Sequence, residues 1–302
     1  MFSYWIPITV FAAFMQNLRS ALQKHIKGRL STGGAAYVRF IYALPLALIL
    51  LWTLVGQFGY ALPGINPAFL IYCLLGSLSQ ILFTFILLYL FSLRNFAVGT
   101  TFSKTEIVQI AILGLILLGD EVSLMGVGAI VVGMTGVIIL SMAQTSVTWA
   151  NLATSLFEKS TLVGLICGAF LGASVVFFRG ATLALEDGDV LIRASFSLAV
   201  ALVMQTVVMG GYLLLREPGQ MALVFRHWKP AGAVGIAGFL GSIGWFTAFT
   251  LQNAAYVRAV GQIELIFTFI ASIMFFKEKT SPMELAGIAL IMVAIVAIML
   301  TG

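Results

Sequence analysis

Two acidic residues, Glu106 and Glu264, interrupt long apolar stretches of this sequence and are the side chains best suited to binding chemistry. If those stretches cross a membrane, an ionised side chain within them costs roughly 2.5–3.5 kcal/mol to insert, so it normally faces a polar cavity or an opposite charge. A carboxylate among apolar neighbours favours its neutral form, whereas a nearby arginine favours the ionised form. We therefore expect both glutamates to bind a substrate or a coupling proton.

Basic and polar residues accompany the two glutamates in the apolar stretches. Three polar residues recur at intervals of four beside the first glutamate and would cover one sector of its helix: Thr101, Thr105 and Gln109. Gln80 is a further polar candidate on the preceding predicted span. Four basic residues are candidate charge partners or anion contacts: Arg19, Arg39, Lys104 and Arg179. In the alternative interpretation, Arg and Glu pairs only lock helices together, and residues near span ends extend to the interface.

Sequence motifs of enzymes and cofactor sites are absent from this chain. It has no GxxxxGK[ST], HExxH, DxDxDG or GxSxG pattern, so ATP-driven transport and zinc hydrolysis have no local support. His25 and His227 fall in predicted loops without companions. Cys73 and Cys167 lie in separate apolar runs, which indicates core packing. We therefore expect no catalytic residue, no cofactor and no metal site.

Membrane helices must position these candidate residues. Of 302 residues, 61% are hydrophobic and 9% are charged, whereas soluble domains contain about 45–50% and about 25%. A bilayer accepts apolar side chains but requires each backbone polar group to be satisfied within its own helix. Runs of roughly 20 apolar residues predict an all-α integral membrane protein with ten transmembrane helices near residues 3–22, 35–56, 67–91, 97–118, 123–142, 160–184, 190–214, 231–252, 256–276 and 282–301.

The basic residues of the predicted loops are divided unequally between the two sides of the membrane. One side carries only Arg193 and Arg258. The other carries ten: Lys24, Lys27, Arg29, Arg94, Lys159, Arg216, Arg226, Lys229, Lys277 and Lys279. The positive-inside rule therefore places the loop after the first span in the cytoplasm and both termini outside. Because these cations are scattered singly, they indicate a lipid bilayer as partner and no nucleic acid.

An internal repeat divides the chain into two halves. An offset of 158 residues aligns positions 95–140 with 253–298 without a gap and matches four polar pairs: Asn95 with Asn253, Glu106 with Glu264, Asp120 with Glu278, and Ser123 with Ser281. Five spans per half is an odd number, so the halves must be inverted relative to each other, as in many secondary transporters. We predict a first repeat over 1–142, a linker over 143–159 and a second repeat over 160–302.

Glycines recur at helical spacing on two predicted spans. Gly164, Gly168 and Gly172 form a GxxxGxxxG row, and a second row repeats every third residue from Gly235 to Gly244. Small residues let helices approach closely, either within one chain or between two copies. We expect packing within the chain, and hence a monomer or a weak homodimer.

Two segments resemble the EamA-domain transporters of the drug/metabolite transporter superfamily: FSKTEIVQIAILGLILLGDEVS and GQIELIFTFIASIMFFKEKTS. In each, a long span ends in a short acidic turn before the last helix of its repeat. The resemblance extends over essentially the whole chain and implies ten helices with a central cavity between the halves. It also implies a multi-pass protein of the inner or plasma membrane, with amino acids, other metabolites or drugs as substrates.

The sequence departs from the common pattern of that family at two places. Many members have a proline near the position of Glu106 and Ile107, so we expect a more acidic central site here. Many members also have basic residues between the second and third spans and termini in the cytoplasm, whereas residues 57–66 contain no charge. The family pattern thus favours the opposite orientation to that indicated by the loop charges.

These observations favour a secondary transporter over other classes of membrane protein. We expect export of a small metabolite, such as an amino acid or a related solute, or of a drug by alternating access. Proton coupling and facilitated diffusion both remain open. The alternatives are a channel or lipid-handling protein, and a non-transporting membrane enzyme or scaffold. Saturable, stereoselective flux would distinguish a carrier from a channel.

Overall fold

The computed structural model describes residues 4–26, 28–90, 93, 101–143, 158–271 and 281–301. Within these ranges the chain forms thirteen α-helices and no strand, because a helix satisfies its backbone polar groups internally. In order they are α1 Trp5–Ile26, α2 Thr32–Ile41, α3 Leu44–Gly56, α4 Pro67–Leu90, α5 Glu106–Leu118, α6 Leu124–Ala143, α7 Lys159–Ala184, α8 Val190–Arg216, α9 Gln220–Arg226, α10 Trp228–Leu251, α11 Ala254–Gly261, α12 Ile263–Ala271 and α13 Pro282–Thr301.

Eight stretches among the described residues are long and apolar enough to cross a membrane. Helices α2 and α3 form one of them together, Thr32–Gly56, and a helical turn before α5 extends that span to Thr101–Leu118. The other two predicted spans correspond to α1, which contains Arg19 and Lys24, and to the α11 and α12 pair. The prediction of an all-α, multi-pass membrane protein is confirmed. Ten spans and an inverted arrangement stay predictions.

The helices group into two compact units, each drawn from both halves of the sequence. Unit 1 contains Met1–Ile81 and Phe177–Leu251, and unit 2 contains Leu82–Val176 and Gln252–Gly302. A compact unit in space therefore does not correspond to a sequence repeat. The repeat boundaries at 1–142 and 160–302, with most of the linker outside the described residues, stay a prediction from sequence.

Glycines allow close helix contacts within unit 1. A Cβ atom at Gly244 of α10 would lie 2.9 Å from Cβ of Ala12 on α1, and one at Gly241 would lie 3.4 Å from the backbone nitrogen of Gln16. The glycine row predicted on this span therefore faces neighbouring helices. The phenyl rings of Phe69 and Phe196 stack in a core cluster of the same unit that also buries Cys73.

Unit 2 has an equally close crossing between α6 and α13. A Cβ atom at Gly136 would lie 2.7 Å from the carbonyl oxygen of Gly287, and one at Gly287 would lie 2.9 Å from that of Gly136.

Helix α5 ends before Gly119, whose φ of 68° is left-handed and whose N–H caps the last turn. The acidic turn expected after this span follows directly, and α6 then begins at Leu124.

Candidate functional site

Helix α11 is completely buried within unit 2 and is held at its start by side-chain hydrogen bonds. All eight of its residues are buried. At its start, the Asn253 side chain accepts a hydrogen bond from the N–H of Ala255 at 2.8 Å and donates to the carbonyl of Glu121 at 3.2 Å. One turn later, the Tyr256 hydroxyl accepts from the N–H of Ser123 at 3.0 Å. These bonds fix α11 against the turn that precedes α6.

An ion pair between Arg258 of α11 and Glu106 of α5 is almost completely buried. The Nη2 atom of Arg258 donates to Oε1 of Glu106, and the residues are 5% and 2% exposed. A buried charge that loses its partner is strongly destabilising. The pair therefore holds the start of α5 against α11, whatever further role it has.

The position of Arg258 corrects our assignment from sequence, which counted it among loop cations on the sparsely charged side. It lies inside unit 2 as a partner of a membrane carboxylate. Two signals could have revealed this: the residue falls within the predicted ninth span, and Glu106 needed a cation. Hydropathy averaged over a whole span does not register a single paired charge.

A second ion pair joins Lys104 to Glu264. The Lys104 Nζ atom lies 3.7 Å from Oε1 of Glu264, and the two side chains are 25% and 15% exposed. The Glu264 carboxylate is also within electrostatic range of the Arg258 guanidinium. In each pair, one predicted sequence half supplies the cation and the other supplies the anion. The looser pair is therefore the more accessible to a solute.

Both pairs lie where a membrane helix changes to a turn of 3₁₀ type. The N–H of Lys104 donates to the carbonyl of Thr101 at 3.1 Å, three residues earlier, in the turn before α5. The N–H of Gln262 likewise donates to Ala259 at 3.2 Å, between α11 and α12. Lys104 and Gln262 are related by the offset of 158 residues. A short 3₁₀ stretch within a helix often marks a hinge, and interrupted helices line many transporter sites.

The glycine row of α7 allows this region to be packed closely. A Cβ atom at Gly168 would lie 2.8 Å from the carbonyl oxygen of Ser103, and one at Gly172 would lie 3.5 Å from that of Glu106. Any larger residue at Gly168 would therefore push the 3₁₀ turn away from α7. The backbone of α7 is thus part of the wall that shapes the site.

Two further predicted residues, Thr105 and Gln109, lie beside these pairs. The Thr105 hydroxyl donates to the carbonyl of Phe102 at 2.7 Å and accepts from Nε2 of Gln109 at 3.2 Å. Nε2 of Gln109 also donates to the carbonyl of Leu165 on α7 at 3.4 Å. The Oε1 atom of Gln109 is buried without a hydrogen-bond partner. The predicted polar sector therefore retains one unused acceptor.

Gln262, which the sequence did not single out, is the most unusual polar residue of unit 2. It is 2% exposed, and neither Oε1 nor Nε2 of its side chain has a hydrogen-bond partner. Its backbone carbonyl accepts from the N–H of Leu265 at 2.9 Å, so the residue closes the first turn of α12. Its equivalence to Lys104 in the repeat was the signal that could have revealed it.

The structure brings together five of the nine predicted site residues in unit 2: Lys104, Thr105, Glu106, Gln109 and Glu264. The other four belong to unit 1. Arg19 and Arg39 approach each other beside Gly238 of α10. Arg179 donates to the carbonyl of Phe249, and Gln80 accepts from Nε2 of Gln205 at 2.7 Å. Among the residues that the structure describes, no three His, Cys, Asp or Glu side chains could hold a metal ion.

Comparison with known proteins supports the resemblance seen in the sequence. Residues 158–300 match the EamA-like transporter family. A solved structure entitled "Crystal structure of protein" superimposes with a TM-score of 0.69 at 13% identity, over 98% of this chain and 96% of that one. At that identity the similarity shows a shared fold. No curated protein matches the sequence.

Proposed function

Because residues 158–300 match the EamA-like transporter family, we propose that the chain is a member of this family and a secondary transporter that moves a small metabolite or drug by alternating access. Members of this family are membrane transporters and not enzymes. The multi-pass helical fold, with eight apolar stretches of spanning length among the described residues, supports this class. An inner or plasma membrane location, ten spans and an inverted repeat are parts of the same proposal.

The proposal rests on two ion pairs at two interrupted helices. In each pair, one half of the sequence supplies the cation and the other half supplies the anion. Lys104 pairs with Glu264, and Arg258 pairs with Glu106, all within the apolar setting of unit 2. Membrane-buried charge is costly and usually belongs to a substrate or ion pathway. A scaffold would need neither the 3₁₀ turns nor a partly exposed ion pair at the same place.

The two glutamates have different roles in this proposal. Glu106 holds the helices of the site, whereas Glu264, with a side chain that is 15% exposed, is the member more accessible to a substrate or a proton. Protonation of Glu264 would weaken its attraction to Lys104 and so link proton movement to export. The predicted site residues Arg19, Arg39, Arg179 and Gln80 lie in unit 1, and their part in substrate binding stays a prediction from sequence.

Reconstitution in liposomes tests this function. We would measure uptake of a labelled mixture of amino acids, of organic cations and of organic anions, with and without an imposed proton gradient. Saturable uptake that increases with the gradient is the expected result. Flux that does not saturate would favour a channel. Loss of every solute flux in vesicles that contain folded protein would overturn the transporter proposal and leave lipid handling or an enzyme.

A further inference from the structure

Arg19 and Arg39 bring two positive charges to one place within unit 1. A Cβ atom at Gly238 would lie 3.5 Å from Cδ of Arg19 and 3.8 Å from Cγ of Arg39, so both side chains pass the same point on α10. Their guanidinium charges are close enough to repel each other. Gly238 is near the middle of α10, which is long and apolar enough to cross a membrane. Both side chains therefore lie well inside the span.

The helices around this pair supply no carboxylate to neutralise it. None of the helices that the structure describes in unit 1 contains Asp or Glu. The four acidic residues of unit 1 lie in the turns that follow α7 and α8: Glu186, Asp187, Asp189 and Glu217. Glu217 already accepts a hydrogen bond from the hydroxyl of Ser31. A negative charge at membrane depth in unit 1 must therefore come from a bound molecule.

Arg39 differs in this respect from the cations of unit 2. Lys104 and Arg258 each pair with a glutamate, whereas the Arg39 guanidinium has no hydrogen bond or ion pair to any residue that the structure describes. It lies 5.5 Å from the ring of Phe40, in the last turn of α2. An aromatic ring and the carbonyls of a helix end each attract a cation, but by less than it costs to place an arginine in the membrane beside another. A ligand of opposite charge would offset the difference.

We propose that Arg19 and Arg39 bind the carboxylate or phosphate group of a soluble solute with net negative charge. This inference rests on the proposed transport function and names its substrate class. A guanidinium group is planar, and its paired N–H donors match two oxygens of a carboxylate or a phosphate. Both arginines are partly exposed, so neither is sealed within the protein core. A zwitterion fits less well, because its cationic group would find no carboxylate on the helices of unit 1.

The first experiment compares three classes of probe in phosphatidylcholine liposomes that contain the intact protein. The probes are a labelled mixture of dicarboxylates and phosphate monoesters, a labelled mixture of net-neutral amino acids, and labelled putrescine. We expect saturable uptake of the anion mixture, at least about tenfold faster than uptake of the other two, since charge-assisted hydrogen bonds to two guanidinium groups favour it. Preference for amino acids or putrescine would overturn the inference and leave the transporter function standing. No uptake of any probe would overturn both.

The second experiment measures binding through the melting temperature of the purified protein in a non-ionic detergent. Succinate and inorganic phosphate should raise it in a saturable way, relative to sodium chloride at the same ionic strength. In Arg39→Gln the concentration that gives half of this effect should increase at least about tenfold, because one of the two guanidinium groups is lost. The matched control is Arg193→Gln, which removes another arginine of unit 1, one that donates to the carbonyl of Leu185 at 3.3 Å. It should keep the wild-type response to both anions.

The melting temperature without added anion separates a ligand site from a structural role. Arg39→Gln should equal or exceed the wild-type value, because it removes a charge that no described carboxylate compensates and relieves the repulsion from Arg19. A lower value together with an unchanged response to succinate and phosphate would overturn the inference, because that result assigns Arg39 to folding. Stabilisation by phosphatidylglycerol without any response to the soluble anions would also overturn it, because the bound group would then belong to a lipid.

Discussion

At the scale of single residues, the two membrane glutamates differ in how firmly each is held. Glu106 is 2% exposed and shares a hydrogen-bonded ion pair with Arg258. Glu264 has a partner at 3.7 Å, and its side chain is 15% exposed. Loss of one member of a fully buried pair strands the other, whereas a partly exposed pair depends less on its partner. Substitutions at the two positions should therefore have different consequences.

Glu106→Gln should destabilise the protein by about 3–5 kcal/mol, because it leaves the Arg258 guanidinium buried without a counter-charge. The free energy of unfolding in mild detergent provides the measurement. The double variant Glu106→Gln with Arg258→Met should recover most of the loss, since no stranded charge remains. Additive destabilisation by the two substitutions would show that the pair is not coupled.

Glu264→Gln should destabilise the protein by less than about 3 kcal/mol, and so by less than Glu106→Gln, because the Lys104–Glu264 pair is longer and less buried than the Arg258–Glu106 pair. It should remove the dependence of uptake on the proton gradient, since the amide does not titrate in the physiological range. Uptake at matched membrane abundance, compared at several external pH values, tests this. A variant that keeps the full gradient dependence would exclude Glu264 as the coupling group.

At the scale of helices, the interruptions of α5 and α11 are the features that neither composition nor motif revealed. No proline is present at either turn, and the break consists of a few hydrogen bonds that span three residues instead of four. A backbone change this small leaves the hydropathy of the span unaltered. The repeat offset alone relates the two turns, because it pairs Lys104 with Gln262.

The crossing of α6 and α13 depends on the absence of a side chain at Gly136. Gly136→Ala should lower stability by about 1–3 kcal/mol, because its Cβ atom would meet backbone atoms of Gly287 and Ile291 at 2.7 and 2.9 Å. These backbone atoms cannot move without shifting the helix. Thermal denaturation followed by circular dichroism measures the effect.

Gly128 on the same helix is the matched control for that substitution. A Cβ atom there would meet nothing within 4 Å, so Gly128→Ala should be neutral or stabilise the helix by about 0.5–1 kcal/mol. Equal losses at the two positions would mean that the response to substitution does not depend on the close contact at the crossing.

At the scale of the whole molecule, sequence periodicity predicted the apolar helices well and the charge pairing only in part. The span expected over 190–214 is Val190–Arg216, and the one expected over 67–91 is Pro67–Leu90. Long apolar runs have one stable structure in a membrane, so their positions follow from hydropathy. The partner of Glu106 does not, because Arg258 is 152 residues away and meets it only in the folded chain. The two compact units, each drawn from both halves of the chain, could not be predicted from the sequence either. An internal repeat shows which segments are similar and not which segments are in contact.

The buried position of Arg258 changes the count of loop charges from which the membrane orientation is inferred. One of the two cations counted on the outer side lies in a buried pair and does not report topology. Without Arg258 in the count, a still larger share of the basic loop residues lies on the side of the loop after α1. If this bias sets orientation, residue 28 faces the cytoplasm and residue 61, in the uncharged loop after α3, faces outside.

Single cysteines distinguish this orientation from the one common among related transporters. Gly28 and Ala61 are both exposed, whereas the native Cys73 and Cys167 are 0% exposed and should give little background. Ala61→Cys should react with a membrane-impermeant maleimide in intact cells, and Gly28→Cys should react only after permeabilisation. The reverse pattern would place both termini in the cytoplasm. It would then follow that the loop cations do not determine how this chain inserts.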